Sequence, residues 1–271
     1  MEKKRILYIS QEINPYLQNS EIASIARSLP QNMNENGYEV RVFMPRFGMI
    51  NERRHQLHEV IRLSGMNLIV NDMDQPLIIK VASIPQARIQ VYFIDNEEYF
   101  KRKGQFADKS GKVFPDNDER SIFFSRGVLE TVKKLGWAPD IIHCHGWMTS
   151  LVPLYLRNYY HEEPTFAEAK VVYSVYDKGF EGSLNKELAK KIAFDGINGN
   201  STDLIEEPTF EQMNKLAIQN ADGVVFAQED VDALRSFAEE LGRTTMDHPD
   251  EDFVDAYLKF YSELLVEETV A

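Results

Sequence analysis

The sequence contains a single cysteine, Cys144, among its 271 residues. An internal disulfide is therefore excluded, and one thiol is typical of a protein from a reducing compartment. The apolar run Ile6 to Ile9 behind the basic amino terminus is too short for a signal peptide. No window of the sequence approaches the roughly 20 apolar residues that a membrane span needs. We therefore expect a cytoplasmic protein without a membrane partner.

Positive charge is also scarce, because 30 basic residues stand against 43 acidic ones and leave a net charge of −13. A surplus of negative charge repels the phosphates of nucleic acids and of anionic lipids, so we expect no nucleic-acid partner either. The hydrophobic content of 43% is enough for one large core. These numbers favour one globular domain.

Apolar runs alternate with amphipathic helical segments along the chain. A strand at Arg5–Ser10, a helix at Ser20–Asn36 and a strand at Tyr38–Met44 form the first βαβ unit. Several short alternating runs between His58 and Asp95 indicate a partly antiparallel insertion that returns to the parallel sheet at Val91–Ile94. The pattern predicts an α/β fold with one doubly wound, mostly parallel, Rossmann-like sheet and a small antiparallel insertion.

The second half continues this alternation. A polar loop at Lys101–Pro115 precedes a long helix that Asp116 is expected to cap and Gly136 to close. Thr244–Asp252 is an acidic connector in this interpretation. Further strands are predicted at Lys170–Tyr176 and Gly223–Ala227, and further helices at Asn185–Ala193, Thr209–Asn220, Asp230–Leu241 and Phe253–Leu265.

The stretch Asp140–Leu156 carries the strongest functional signal. Ile141 and Ile142 open a buried strand, Gly146 breaks it, and helical spacing follows. Ligands of open parallel sheets bind beyond the carboxyl ends of the strands. Residues His145 to Thr149 are therefore expected to face the ligand.

Five blocks together resemble, in order, the amino-terminal half of the bacterial glycogen synthase and plant starch synthase family. That family transfers glucose from ADP-glucose. The resemblance implies a fold of two Rossmann-like domains facing across a cleft, with the donor held mainly by the second domain and the acceptor glucan by the first. The blocks are ISQEINPY (9–16), GYEVRVFMPRFGMI (37–50), VYFIDNEEYF (91–100), PDNDERSIFFSRGVLE (115–130) and KKLGWAPDIIHCHGWMTSLVPLYL (133–156).

The first departure from the family follows the first strand. The family has a Lys-Thr-Gly-Gly-Leu loop whose lysine meets the donor phosphate, and the corresponding residues here are Gln18, Asn19, Ser20, Glu21 and Ile22. A cation is lost and a carboxylate is gained near a helix amino terminus, which otherwise favours anions. Donor binding in the family's manner is therefore not expected.

The second departure lies in the central stretch, where the family has His-Asp-Trp-His-Thr with its second histidine in the active site. The corresponding residues here are His145, Gly146, Trp147, Met148 and Thr149. Methionine donates no strong hydrogen bond and carries no charge, so Met148 offers no transition-state stabilisation of the kind imidazole supplies. Downstream, the family's Thr-Ile-His-Asn corresponds to Ser174–Asp177, its Lys-Gly-Gly keeps only Lys215, and a serine becomes Gln228.

Two domains of this kind need roughly 400 residues or more. We therefore expect residues 1–245 to form the family's first domain and residues 246–271 to form a carboxyl-terminal crossing helix that packs back on it.

The resemblance suggests a residual sugar-binding cleft, for which each residue also has a plain structural interpretation. Tyr16, Tyr99 and Trp147 either stack on glucose rings or pack in the core. The cluster at Asp116–Arg120 either contacts sugar or forms a solvated helix cap. The candidate residues are Glu12, Tyr16, Asp95, Asn96, Tyr99, Asp116, Asn117, Arg120, His145 and Trp147.

The sequence His143-Cys144-His145 suggests a metal site, but adjacent strand residues point to opposite faces and no further ligand cluster appears. We expect a packed strand end with an outward His145, a core Cys144, no metal and no cofactor.

Two classes of function remain open. The favoured hypothesis is a pseudoenzyme of glycogen metabolism, catalytically incompetent alone, that retains an α-glucan-binding or partner-docking role. The alternative is an active glucan synthase that performs retaining glucosyl transfer from ADP-glucose, either alone or completed by a partner chain. An altered specificity for another activated sugar is a third possibility.

Overall fold

The computed structural model describes residues 3–17, 20–84, 86–177, 179–229 and 231–266. One large mixed sheet has the strand order β10-β9-β8-β7-β1-β2-β6-β5-β3, and β4 pairs with β5 beside it. The strands are β1 (Arg5–Ser10), β2 (Glu39–Pro45), β3 (His58–Glu59), β4 (Met66–Val70), β5 (Met73–Ile84), β6 (Ile89–Asp95), β7 (Ile141–His145), β8 (Lys170–Val175), β9 (Gly223–Phe226) and β10 (Thr244–Asp247).

The helices begin and end close to the residues that the sequence pattern indicates. Ser20 caps α1 by accepting a hydrogen bond from the Ala23 amide at 3.0 Å, and Gly136 closes α3 with a left-handed φ of 59°. The helices are α1 (Glu21–Glu35), α2 (Glu97–Phe100), α3 (Asn117–Leu135), α4 (Leu151–Asn158), α5 (Leu188–Ala193), α6 (Phe210–Asn220), α7 (Asp232–Glu240) and α8 (Phe253–Val266).

The predicted α/β fold with an antiparallel insertion is confirmed. β5 runs antiparallel to β3, β4 and β6, while β6 is parallel to β2 in the register Val42↔Val91. From β6 to β10 all neighbouring strands are parallel. Their carboxyl ends therefore lie along one edge of the sheet.

The prediction of a connector at Thr244–Asp252 is wrong for its first part. Thr244–Asp247 forms β10, which pairs in parallel with β9. Its side chains alternate between half-buried and exposed, so the segment lacks the apolar run that marks the other parallel strands. An edge strand is held by backbone hydrogen bonds to one neighbour, and its sequence carries little of that information.

The last helix, α8, packs across the sheet. Tyr257, Tyr261 and Leu264 are fully buried on its inner side. A Cβ atom at Gly223 would lie 2.8 Å from Phe260 and 2.9 Å from Leu264, so the absence of a side chain on β9 lets the helix approach. Among the described residues, no helix combines the length and the apolar character needed to cross a bilayer.

Candidate functional site

A cavity of about 170 Å³ opens at the carboxyl ends of β1, β7, β8 and β9, beside the amino terminus of α1. This position is where open parallel sheets bind their ligands. Of the sequence-predicted residues, it brings together Glu12, Ser20, Glu21 and Trp147. We call this cavity the pocket, and its lining residues are Gln11, Glu12, Ser20, Glu21, Ile22, Gln105, Phe106, Trp147, Tyr176, Gly179 and Gln228.

Glu12, which follows β1, lines the pocket. Its carboxylate accepts a hydrogen bond from the Ser20 hydroxyl at 2.5 Å and another from the Gln11 amide at 3.1 Å. Because Ser20 donates to Glu12, just beyond β1, and also caps α1, it connects the two elements at the pocket. Glu12 is half-buried and keeps acceptor capacity, because a carboxylate has about four lone-pair sites.

Glu21 and Gln228, which align in sequence with the family's donor loop and downstream serine, also line the pocket. The Gln228 side-chain amide donates to the Glu21 carboxylate at 2.7 Å. The side-chain oxygen of Gln228 also accepts a hydrogen bond from the Asp177 backbone amide at 2.7 Å. The three residues therefore connect the start of α1 with the ends of β8 and β9. Gln18, the residue at the family's lysine position, lies outside the described residues.

A column of imidazole and phenol rings lies behind the pocket. The His145 and His143 rings stack with centroids 4.1 Å apart, and His145 Nδ1 lies 2.9 Å from the Tyr176 hydroxyl. His143 lies 2.7 Å from both the Tyr261 hydroxyl of α8 and the Ser174 hydroxyl. Tyr176 therefore links this column to the pocket that it lines.

The expectation of an outward His145 is wrong, because the side chain is fully buried. His143 and His145 are alternate residues of one strand and share a face, which α8 covers through Tyr261. Burial lowers the pKa of His145 to about 3 and that of His143 well below its ordinary value, so both rings are neutral near pH 7. Burial likewise raises the pKa of the Tyr176 hydroxyl.

Gly146 occupies a backbone conformation, φ 85° and ψ 159°, that is essentially restricted to glycine. A Cβ atom there would collide with the side-chain amide of Gln11. Gln11 in turn accepts a hydrogen bond from the Met148 backbone amide at 3.3 Å. The Met148 side chain is fully buried, so the residue at the family's active-site histidine position belongs to the core.

Asp95 and Asn96 do not line the pocket. The buried Asp95 carboxylate pairs with Arg46 at 2.9 Å and with Lys80 at 3.0 Å. Asn96 caps α2, since its side-chain oxygen accepts from the backbone amides of Glu98 and Tyr99 at 2.9 and 3.0 Å. Their polar atoms therefore hold the end of β6 and the start of α2 together.

Asn117 and Arg120, near the start of α3, also form hydrogen bonds to other groups of the protein. The fully buried Arg120 donates to the carbonyls of Tyr99 and Gln105 at 2.8 Å each, and to the Asn117 side chain at 2.6 Å. Burial lowers the pKa of Arg120 to about 9. Asp116 stands at the cap position of α3, but it makes no capping hydrogen bond and pairs with Arg102 at 2.6 Å, contrary to the prediction.

The aromatic candidates are mainly core residues. Tyr16 packs edge-on against Phe93 with ring centroids 4.9 Å apart, and the Tyr99 hydroxyl donates to Glu119 at 3.1 Å. Trp147 is 2% exposed, yet it lines the pocket. Its ring centroid lies 4.8 Å from those of Phe106 and Phe180.

The described lining of the pocket holds two carboxylates, Glu12 and Glu21, and neither lysine, arginine nor histidine. Within the described ranges, no group of three or more His, Cys, Asp or Glu side chains is placed to hold a metal ion. Sequence reasoning did not select Gln11, Gln105 and Phe106. Only Gln11 had a usable signal, because it directly follows a buried strand; the other two come from an irregular loop.

Comparison with known proteins gives concordant matches. The family described as "Starch synthase catalytic domain" matches residues 5–231. Glycogen synthase of Chlorobium luteolum is 40% identical over 196 residues, which cover 72% of this chain and 40% of that protein. Glycogen synthase of Pelodictyon phaeoclathratiforme is 34% identical over 253 residues, which cover 90% of this chain and 50% of that protein. The chain thus spans half or less of the length of these curated relatives.

Among solved structures, the catalytic domain of starch synthase IV from Arabidopsis thaliana bound to ADP and acarbose is similar in fold. The TM-score is 0.76 at 17% sequence identity, and the match covers 94% of this chain and 53% of that one.

Proposed function

The chain belongs to the starch synthase catalytic domain family of glycosyltransferases, and we propose that its pocket binds a saccharide but does not use a nucleoside diphosphate sugar as glucosyl donor. The proposal concerns ligand binding by the pocket residues of this chain. It combines the family's fold with the altered chemistry of the pocket.

The observation that carries the proposal is the charge of the pocket. Glu12 and Glu21 line it, and the described lining offers no cation to a diphosphate. Two like charges 4 Å apart repel by about 4 kcal/mol at an effective dielectric constant near 20. The amino terminus of α1 favours an anion, but the Glu21 carboxylate lies in its first turn and already supplies that negative charge.

Catalysis also lacks its expected hydrogen-bond donor. The Met148 thioether is buried and donates no proton, and Tyr176 stands where the family has a downstream histidine. The Tyr176 hydroxyl is hydrogen-bonded to His145 Nδ1 at 2.9 Å. The described lining holds carboxylates but no cation, so it offers little stabilisation to the negative charge that develops on the leaving diphosphate in glucosyl transfer.

The remaining groups suit an uncharged, hydroxyl-rich ligand. Carboxylates accept hydrogen bonds from sugar hydroxyls, glutamine side chains both accept and donate them, and Trp147 and Phe106 contribute aromatic rings to the lining. A small number of polar groups in a partly aromatic cavity is the usual composition of a small-molecule site. An α-glucan end or oligosaccharide is the ligand that we propose.

The test measures turnover and binding separately. Purified protein supplied with ADP-glucose and maltotriose is expected to release no ADP, whereas maltotriose alone is expected to bind at millimolar concentration in ligand-observed NMR. Glu12→Gln should weaken that binding, and Glu162→Gln, on an exposed side chain, should not. ADP release abolished by Glu12→Ala would overturn the non-catalytic assignment. Absence of saccharide binding would overturn the ligand assignment and favour docking of a partner protein.

We further propose that the protein works in the cytoplasm. Its single thiol, Cys144, is free and buried, and burial raises its pKa. Such a thiol suits a reducing compartment.

A further inference from the structure

Gln11 directly follows β1 and is only 2% exposed, although it contributes to the lining of the pocket. We propose that Gln11 is a positioning residue, which acts on the saccharide through Glu12 by fixing the orientation of the Glu12 carboxylate. The inference rests on the proposed function, because it names the residue that prepares the same pocket for its ligand. It also gives a reason for the glycine at position 146.

The two ends of the Gln11 side chain have different partners. Its oxygen, Oε1, accepts a hydrogen bond from the Met148 backbone amide at 3.3 Å, and its nitrogen, Nε2, donates to Glu12 Oε1 at 3.1 Å. A backbone N–H only donates and an ionised carboxylate only accepts, so one orientation of the amide satisfies both neighbours. A glutamate at position 11 would lack the donor for Glu12, and a methionine would lack the donor and the strong acceptor alike. Glutamine therefore connects the Met148 amide to the Glu12 carboxylate.

The Glu12 carboxylate is held at both of its oxygens. Gln11 donates to Oε1, and the Ser20 hydroxyl donates to Oε2 at 2.5 Å. Ser20 is fixed in turn, because it caps α1 through the Ala23 amide. Two donors on separate elements restrict rotation of the carboxylate, while acceptor positions are left for a ligand, since a carboxylate has about four. An acceptor that is already oriented loses less conformational freedom when the ligand binds.

Gly146 gives the Gln11 side chain the room that this arrangement needs. A Cβ atom at position 146 would lie 2.4 Å from Gln11 Oε1 and 2.5 Å from Gln11 Cδ. With this backbone, the aspartate of the family's His-Asp-Trp-His-Thr motif would therefore compete with the Gln11 amide for the same space. The Gln11 backbone amide also donates to the His145 carbonyl at 3.3 Å. The residue is thus fixed by its main chain and by both ends of its side chain.

The experiment compares three variants of the full chain by ligand-observed NMR with maltotriose and by the crystal structure of each variant, which shows the orientation of the Glu12 carboxylate. Gln11→Met keeps the length of the side chain but removes both hydrogen bonds. Gln11→Glu keeps an acceptor for the Met148 amide and, at about pH 8, offers no donor to Glu12. Ser121→Ala is the matched control, because Ser121 donates to the Met148 carbonyl at 2.9 Å and is not part of the described pocket lining.

Both Gln11 variants should bind maltotriose roughly fivefold more weakly than the unaltered protein, which corresponds to about 1 kcal/mol. In both, the Glu12 carboxylate should rotate or take more than one orientation. Ser121→Ala should lower the midpoint of chemical denaturation while leaving the binding and the Glu12 orientation unchanged. Because Gln11→Glu retains an acceptor for Met148, its loss of binding separates the positioning of Glu12 from support of the fold.

The contrary outcomes are distinct. If Gln11→Glu binds like the unaltered protein and only Gln11→Met is weak, Gln11 supports the turn at Met148 and the positioning role is overturned. If Ser121→Ala weakens binding as much as Gln11→Met does, a general loosening explains the loss and also overturns that role. Unchanged binding in both Gln11 variants would overturn it while the proposed function stands.

Absence of maltotriose binding by the unaltered protein would instead overturn the proposed function. The crystal structures then decide the positioning role by themselves. A reoriented Glu12 carboxylate in the Gln11 variants supports that role, and an unmoved one overturns it.

Discussion

The polar side chains near the starts of α2 and α3 and those near the start of α1 serve different purposes within one domain. Arg120 and Asn96 bond to backbone groups, and Asp95 is buried in an ion-pair network. We call these residues the framework. Glu21 and Gln228 bond to each other at the pocket and remain partly open to solvent. Framework residues lie in the blocks that resemble the family, whereas Glu21 and Gln228 depart from it.

This difference explains how a domain can keep its fold while the residues of a pocket are exchanged. A buried group that bonds to backbone carbonyls cannot be exchanged without leaving those carbonyls or its own charge unsatisfied. Two partly exposed side chains that bond to each other can be replaced together, because water satisfies whatever is left over. The pocket is therefore the place where change is energetically easy.

The largest expected effect comes from removing a framework cation. Arg120→Met should lower the free energy of unfolding by about 2–4 kcal/mol, because the Gln105 carbonyl and the Asn117 side chain lose a buried donor and the Tyr99 carbonyl keeps only the longer bond from Arg102. Arg53→Met, at an exposed position, is the matched control and should cost less than about 0.5 kcal/mol. Chemical denaturation measures both. Equal, small losses would remove the distinction between framework and pocket.

A second prediction asks whether the histidines behind the pocket belong to the framework. Their folded-state pKa values lie below the ordinary value, so the unfolded chain binds more protons below about pH 6.5. Stability is therefore fully present above that pH and falls as the pH drops toward the folded pKa, by about 1.4 kcal/mol per pH unit for each buried histidine. Denaturation at pH 7 and pH 5 measures the loss.

Replacing one of these histidines isolates its contribution to the pH dependence of the free energy of unfolding. His145→Gln should lose about 2 kcal/mol less stability than the unaltered protein between pH 7 and pH 5. His58→Gln, on an exposed side chain, should retain the unaltered pH dependence. If His145→Gln has the same pH dependence as the unaltered protein, His145 does not stay neutral in the folded state.

The smallest effect is expected in the pocket itself. Glu21→Gln should change the free energy of unfolding by less than about 0.5 kcal/mol, since the side chain is exposed and an amide still reaches Gln228. The equivalent framework change, Asp95→Asn, should cost about 3 kcal/mol, because Arg46 and Lys80 lose their buried counterion. A loss of about 3 kcal/mol in the free energy of unfolding on Glu21→Gln would mean that the Glu21 side of the pocket also supports the fold.

Much of the fold was predictable because its signals are local. β1, α1 and the antiparallel insertion follow from apolar periodicity, and the end of α3 follows from Gly136. β10 was missed because its four residues carry no strong apolar pattern and pair only with β9. The outward His145 was wrong because α8, distant in sequence, covers that face of β7.

The candidate site was predictable only in outline. The departures at Ser20, Glu21 and Gln228 are visible in the sequence, but their hydrogen bonds are not. Asp95 and Arg120 are equally plausible as sugar contacts until their partners are known. Gln105 and Phe106 reach the pocket through an irregular loop, for which no periodic pattern exists.

The amino-acid sequence by itself determined the strand and helix pattern, the family resemblance and the loss of the donor loop's charge, because each of these is carried by residues close together in the chain. Only the tertiary structure decided which polar groups face the pocket and which are bonded within the framework. The physical reason is that burial and hydrogen-bond partners depend on elements far apart in sequence, such as α8 against β7 and Gln228 against Glu21.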